Sequence, residues 1–250
     1  MRGWSNAAAI LGLGAMLAGC AGGPCMEPER AGRHGAMETQ TQDYAFVFIR
    51  TGTLRQPSQE QAQAAMQGHF ANMRKMADRG ELLIAGPLGE PRSDPDHRGL
   101  FVFDVRTAAE GLALANTDPA REMGVFTMDP WVLATDAPLI ELPRLEKEDE
   151  RRRLNDPDVP DEWVGRSYAL ASTPYDPALH ERIRGARGVL IAGRLSNAKG
   201  QDRLLLWLDA TSVAGARAML PEGDWTLHGW YGSPTIAQLP ALPKPQTRPN

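Results

Sequence analysis

Cysteine is scarce in this chain of 250 residues: the two cysteines, Cys20 and Cys25, both lie before the first predicted strand. The rest of the sequence therefore has no residues for a disulfide framework or a cysteine-ligated metal site. The five histidines are dispersed, and the sequence contains no HExxH, CxxC, GxSxG or Walker-type motif. These absences argue against the common zinc, serine-hydrolase and nucleotide-binding classes, and we expect neither a metal nor a cofactor.

Positive charge is also limited. The chain has 27 lysines and arginines against 31 acidic residues, so its formal net charge is −4. The cluster of basic residues at 151–153 directly follows an acidic run, and no basic stripe interleaved with aromatic residues occurs. Because recognition of nucleic acid depends on a concentrated positive surface, we expect no nucleic-acid partner.

The amino-terminal apolar run, at residues 7–19, is shorter than the roughly 20 residues that a transmembrane helix needs. It ends in Leu-Ala-Gly-Cys at 17–20, which resembles the lipobox of bacterial lipoproteins. That resemblance implies a signal peptide at 1–19 and acylation of Cys20, which would attach the protein to a membrane through an N-terminal lipid anchor. Ala21 in place of Asp favours the outer membrane of the bacterial cell envelope, facing the periplasm. The alternative is an ordinary secretory signal with a coincidental cysteine.

One short sequence nearly occurs twice: LLIAGPL at 82–88 and VLIAGRL at 189–195, 107 residues apart. A strand pattern and a helical pattern precede each copy, and a strand, a helix and a last strand with a tryptophan follow it. Thr107 and Thr211, which we predict to cap the helices after the repeats, lie 104 residues apart. Chance similarity between two strands would not also reproduce a helix, its cap and a tryptophan, so the sequence predicts a duplicated unit.

The duplication predicts an α+β fold. Each unit has the β-α-β-β-α-β order of a ferredoxin-like arrangement, and such a sheet leaves one apolar face uncovered. We therefore expect two tandem ferredoxin-like βαββαβ units, packed sheet-to-sheet as a pseudo-dimeric α/β barrel within one chain. The predicted segments are a signal peptide at 1–19, a flexible tether at 20–43, a first unit at 44–135, a linker at 136–166, a diverged second unit at 167–238 and a proline-rich tail at 239–250.

The first unit resembles the YCII-related family. The resemblance lies in His69, in GELLIAGPL at 80–88, in Gly99-Leu100, in Asp118-Pro119, in Met123-Gly124-Val125 and in Pro130-Trp131. It implies small α+β units that pair as dimeric α/β barrels, with the second unit here standing in for the partner. It also implies a His–Asp active site, which maps to His69 and Asp118, and one member of the family is a cofactor-free dehydrochlorinase. The second unit departs from the pattern, because Glu222-Gly223 stands where the first has Asp118-Pro119.

The spacing around His69 is consistent with an inward-facing side chain, because Met66 and Met73 lie on the same apolar stripe of the predicted helix. An imidazole oriented by a carboxylate can take or give a proton, whereas a histidine bonded to a backbone carbonyl only packs in the core. Asp118 before Pro119 also fits the N-cap of a short helix. Both functions of Asp118 are compatible, since a carboxylate has two oxygens.

Three further residues of the first unit are candidates for substrate binding. Gly86 and Pro87 close the repeated strand and either line a pocket or form a turn. Arg50, within the first strand, either binds a substrate carboxylate or is solvated at a sheet edge. We expect His97 to be exposed. In the last strand of the second unit, alternating large side chains either line a ligand cavity or pack in the core: Trp225, His228 and Trp230.

Two functions remain open from the sequence. In the first, the protein is an envelope lipoprotein with a YCII-like barrel and acts as a cofactor-independent enzyme. His69 and Asp118 would then transfer protons on a small molecule, as in a lyase, an isomerase or a dehydrochlorinase. In the second, it is a non-catalytic lipoprotein that binds a small molecule or assists assembly.

Overall fold

The structure is a computed structural model, and it describes residues 40–92 and 94–245 of the chain. The first half contains β1 (Gln42–Thr51), α1 (Gln59–Asp78), β2 (Leu82–Arg92), β3 (His97–Phe103), α2 (Ala108–Ala115), α3 (Pro119–Glu122) and β4 (Phe126–Thr135). A 3₁₀ helix (Leu139–Glu141) and α4 (Leu142–Asn155) connect the halves. The second half contains β5 (Arg166–Pro174), α5 (Pro177–Ile183), β6 (Val189–Ser196), β7 (Asp202–Leu208), α6 (Val213–Met219), β8 (Thr226–Gly232) and a 3₁₀ helix (Pro234–Ala241).

The eight strands form one closed antiparallel barrel in the order β1-β3-β2-β8-β5-β7-β6-β4. The predicted fold class, two ferredoxin-like units packed sheet-to-sheet, is therefore wrong. The halves do not stack face to face; they join edge to edge, through hydrogen bonds between β2 and β8 and between β4 and β6. Edge pairing satisfies backbone groups that two separate sheets would leave open, and curvature into a barrel lets the apolar face cover itself.

Alternation along β1 shows how the wall separates two cores. Tyr44 and Phe46 point into the barrel and belong to its interior cluster. Ala45 and Val47 point outward and pack with residues of the helices, Met76 of α1 among them. Successive side chains of a strand point to opposite faces, so one strand supplies both cores.

Local signals in the sequence set the ends of the helices. Ser58 caps α1 in a capping box, and Gly80 follows α1 with a φ of 72°, a left-handed conformation that glycine adopts without strain. Thr107 caps α2 as predicted. The prediction that Thr211 caps α6 is wrong by one residue, because the side chain of Ser212 accepts the N–H of Gly215 instead.

The end of the barrel where β1 and β5 begin is plugged. Buried apolar side chains of α4 and of both 3₁₀ helices belong to the same cluster as the barrel interior: Leu139, Leu142, Leu145, Ile236 and Leu239. Tyr168, at the start of β5, donates its hydroxyl to the carbonyl of Ser233 over 2.8 Å. In the described part of the chain, a cavity lies at the opposite end, where β1 and β5 finish.

Candidate functional site

The structure brings His69 and Asp118 into direct contact. Nδ1 of His69, on α1, lies 2.5 Å from Oδ2 of Asp118, and the other oxygen of Asp118 accepts the N–H of Ala120 over 2.9 Å. Asp118 is therefore both the N-cap of α3 and the partner of the imidazole. An ionised carboxylate only accepts, so Nδ1 carries the proton in this contact and Nε2 is the nitrogen left for other partners.

The His69–Asp118 pair lies on the outer face of the barrel wall, beneath α1. His69 is 7% exposed and Asp118 is 1% exposed. Three phenylalanine rings surround the imidazole with centroids 5.3 to 5.8 Å away: Phe70, Phe101 and Phe126. Neither member of the pair lines either of the two cavities described below. The contact is thus well formed, but it is nearly sealed from solvent.

A cavity of about 570 Å³ occupies the open end of the barrel. Its aromatic wall includes Phe48 and Trp131. Its polar lining comes from inward-facing positions near strand ends and from the adjoining loops: Arg50, Asp94, His97, Asp129, Ser172, Asn197, Lys199, Gln201, Asp202, Arg203, Thr226 and His228. A concave space of this size with convergent polar groups is typical of small-molecule sites.

A bulge in β3 turns His97 into this cavity. Ile49 pairs with Gly99, but Arg50 pairs with His97, so Arg98 is an extra residue in the ladder. The imidazole of His97 stacks on Phe48, with centroids 4.6 Å apart and planes 3° from parallel. The expectation that His97 is exposed is wrong, since only 14% of its side chain is exposed. The extra residue reverses the alternation at this point, which inspection of the sequence could not show.

Arg50 lines the same cavity and fixes the tautomer of His97. One guanidinium nitrogen lies 2.9 Å from Nε2 of His97, and another lies 3.0 Å from a carboxylate oxygen of Asp94. A guanidinium can only donate, so Nε2 accepts and the ring proton resides on Nδ1. Burial lowers the pKa of His97; Asp94 opposes this effect and Arg50 adds to it. Arg50 lies in a closed barrel and lines the cavity, so it does not occupy the solvated sheet edge that was the predicted alternative.

His228, on β8, lies beside His97 in the cavity lining, with ring centroids 5.6 Å apart. Burial, with contributions from His97 and Arg92 against the opposing Asp94, lowers the pKa of His228 to about 4. Nδ1 of His97 and Nδ1 of His228 are both buried and have no hydrogen-bond partner among the described residues. Two imidazoles whose pKa values are lowered therefore line the cavity.

Arg203, on β7, differs from Arg50 in its surroundings. Its Nε and one terminal nitrogen, Nη2, donate to the hydroxyl of Ser172 over 3.2 and 3.1 Å, and Nη2 also reaches the hydroxyl of Thr226 over 3.3 Å. No carboxylate of residues 40–92 and 94–245 forms an ion pair with it. The guanidinium is held in place by neutral groups alone.

Gly86 and Pro87 belong neither to the His69–Asp118 pair nor to the cavity at the open end of the barrel. A Cβ at Gly86 would stand 2.2 Å from the carbonyl oxygen of Tyr231 and 2.8 Å from the indole of Trp230, so Gly86 permits the close approach of β2 to β8. Pro87 lines a separate groove between β2, β8 and α6. The five predicted catalytic and substrate-binding residues are thus divided among three sites, and Cys20 lies outside the described residues.

The described part of the chain also limits other kinds of site. It contains no group of three or more His, Cys, Asp and Glu side chains that could hold a metal ion. Nor does any helix in residues 40–92 and 94–245 combine the length and apolar character required to cross a membrane.

Comparison with known proteins adds no identification. No family model, curated protein or solved structure matches the chain. The resemblance to the YCII-related family therefore stays a prediction that rests on the residues quoted above. The interpretation of function depends on the geometry of the barrel, of its open cavity and of the His69–Asp118 pair.

Proposed function

We propose that this protein binds a small molecule in the cavity at the open end of its barrel. The observation that carries the proposal is the lining of this cavity, which brings Arg50, His97 and His228 together at one end of the barrel. Convergent polar groups in a concave space are typical of small-molecule sites.

The shape and walls of the cavity support this proposal. Its volume of about 570 Å³ falls within the roughly 300–1,000 Å³ of typical ligand pockets. Phe48 and Trp131 supply flat apolar surface, while Arg50, His97 and His228 supply fixed polar groups. Positions on a closed barrel are rigid, so these groups need little reordering when a ligand enters.

Two serines on β5 provide a matched test. Ser172 lines the cavity, whereas Ser167 is exposed on the same strand and lines the outer groove. Ligand-observed NMR of the full chain with a set of neutral, cationic and anionic aromatic compounds should identify binders. We expect Ser172→Phe, which places a large ring in the cavity, to weaken that binding and Ser167→Phe to leave it intact, with both melting temperatures measured. Binding equally tight in Ser172→Phe and the unaltered chain, or a full set without a binder, would refute the proposal.

A second candidate function is proton transfer by the His69–Asp118 pair. The 2.5 Å contact favours it, because a carboxylate on Nδ1 fixes the orientation of the ring and leaves Nε2 to take or give a proton. In that case the protein is a cofactor-free lyase or isomerase acting on a small molecule. Turnover of chlorinated or hydroxylated aromatic compounds should then fall by roughly a hundredfold or more in His69→Gln and persist in Ser172→Phe. Equal activity in His69→Gln and the unaltered chain would exclude this function.

We also propose that acylated Cys20 anchors the protein in the bacterial cell envelope, as the lipobox-like sequence indicates. Labelling of growing cells with a radioactive fatty acid should mark the unaltered chain. Cys20→Ser should remove the label, and Cys25→Ser is the matched control. A labelled Cys20→Ser variant would contradict the anchor.

A further inference from the structure

The charged groups around the barrel-end cavity are not all paired. Asp94 is engaged by Arg50, and Asp202 is engaged by Arg194 over 2.5 Å. Arg203 has only hydroxyl partners, and Lys199 on the rim forms no ion pair within the described part of the chain. Among the described residues, neither Arg203 nor Lys199 therefore forms an ion pair with an acidic side chain.

We propose that Arg203 anchors an anionic oxygen group of the ligand, a carboxylate or a phosphate. This inference rests on the proposed function and specifies the class of small molecule that the cavity accepts. An arginine guanidinium is a permanent cation with five N–H donors in a planar fork, and its hydrogen bonds to anionic oxygens are charge-assisted. Among the described residues the hydrogen bonds of Arg203 use Nε and Nη2, so Nη1 is left to donate to a ligand oxygen.

The two hydroxyls complete the anchor. Ser172 and Thr226 accept hydrogen bonds from Arg203 through their oxygens, which leaves the hydrogen of each hydroxyl free to donate. They hold the guanidinium without cancelling its charge, which a carboxylate in their place would do. An oxyanion beside Nη1 would then receive a donor from a cation that neutral groups hold in place.

Asp129 limits the charge of the remaining part of the ligand. This carboxylate accepts the indole N–H of Trp131 over 3.1 Å and has no ion-pair partner among the described residues. It lies on β4, and β6 separates it from β7 in the barrel order, so it lies on a different part of the wall from Arg203. The ligand therefore presents its anionic group toward Arg203 and a neutral or donor-bearing part toward Asp129 and Trp131.

The test compares probes of nearly equal shape and different charge on the full chain: benzoate and phenyl phosphate against neutral benzamide. We expect the anions to bind more tightly than benzamide and to lose roughly tenfold or more in affinity in Arg203→Gln. Benzamide affinity should change less than about twofold in that variant. Arg203→Lys, which keeps the charge but not the fork, should recover part of the loss. Arg166→Gln removes an exposed, ion-paired arginine at the plugged end and should change neither affinity.

The outcomes separate this inference from the proposed function. If Ser172→Phe blocks both benzoate and benzamide while Arg203→Gln affects neither, the cavity binds ligands but the anionic anchor is refuted. Benzamide binding as tightly as benzoate would refute the anchor as well, as would the absence of binding by either anion. If Arg203→Gln loses all binding, benzamide included, its cavity has collapsed, and Arg203→Lys becomes the deciding variant. Failure of Arg203→Lys to bind either anion would then overturn the inference.

Discussion

Acidification should destabilise the fold through His228. This side chain is 5% exposed and its pKa is lowered to about 4, against 6.5 for a free imidazole. The folded state therefore binds fewer protons at His228 than the unfolded state between these values, so the contribution of this group to stability is constant above about pH 7 and falls as the pH drops from about 6.5 to 4. Each pKa unit corresponds to about 1.4 kcal/mol, so the loss from this group reaches about 3 kcal/mol at pH 4.

A neutral variant isolates this effect. The groups that face His228 are His97, Asp94 and Arg92, and all three remain in His228→Gln. Urea unfolding of both proteins at about pH 7.5, 5.5 and 4 should show the unaltered protein losing about 3 kcal/mol more than the variant over this range. Parallel pH dependences for the two proteins would show that His228 becomes protonated inside the fold without penalty, and the reasoning from burial would be wrong.

Substitutions at two positions test local contacts outside the open cavity. Asp118→Ala removes the cap of α3 and the acceptor for His69, so we expect the free energy of unfolding to fall by about 2–4 kcal/mol. Asp118→Asn should lose less, because an amide oxygen can still accept the N–H of Ala120. Equal losses in the two variants, measured by urea unfolding, would mean that the cap contributes little. Gly86→Ala places a methyl group 2.2 Å from the carbonyl oxygen of Tyr231. Because that carbonyl cannot move without separating β2 from β8, we expect the free energy of unfolding to fall by about 1–3 kcal/mol. An unchanged melting temperature would show that the two strands separate easily.

Much of the secondary structure could be predicted, because its signals are local. Apolar runs marked the strands, and Thr107 marked the start of α2 through a short-range hydrogen bond. The fold class could not be predicted, because an apolar sheet face is buried equally well by a second sheet or by curvature into a barrel. The pairing of β2 with β8 decides between them, and nothing in either strand alone specifies that pairing.

Only part of the candidate site could be predicted from the sequence. The His69–Asp118 contact joins residues 49 positions apart, and it was suggested by the family resemblance rather than by spacing. Arg50 was a candidate because of its place in a strand, and it does line a cavity. His97 was missed because a single extra residue in β3 reverses the direction of its side chain. Arg203 gave no sequence signal, since its significance lies in the absence of a nearby carboxylate.

The β2–β8 pairing also has a consequence for the order of folding. Leu88 pairs with Trp230, so the contact that closes this side of the barrel joins residues 142 positions apart. During synthesis from the amino terminus, the outer edge of β2 has no native partner until nearly all of the chain has been made. Contacts this distant form late and fold slowly, and an open strand edge can pair with another chain in the meantime. The nascent protein is therefore most vulnerable to aggregation just before its last strand emerges.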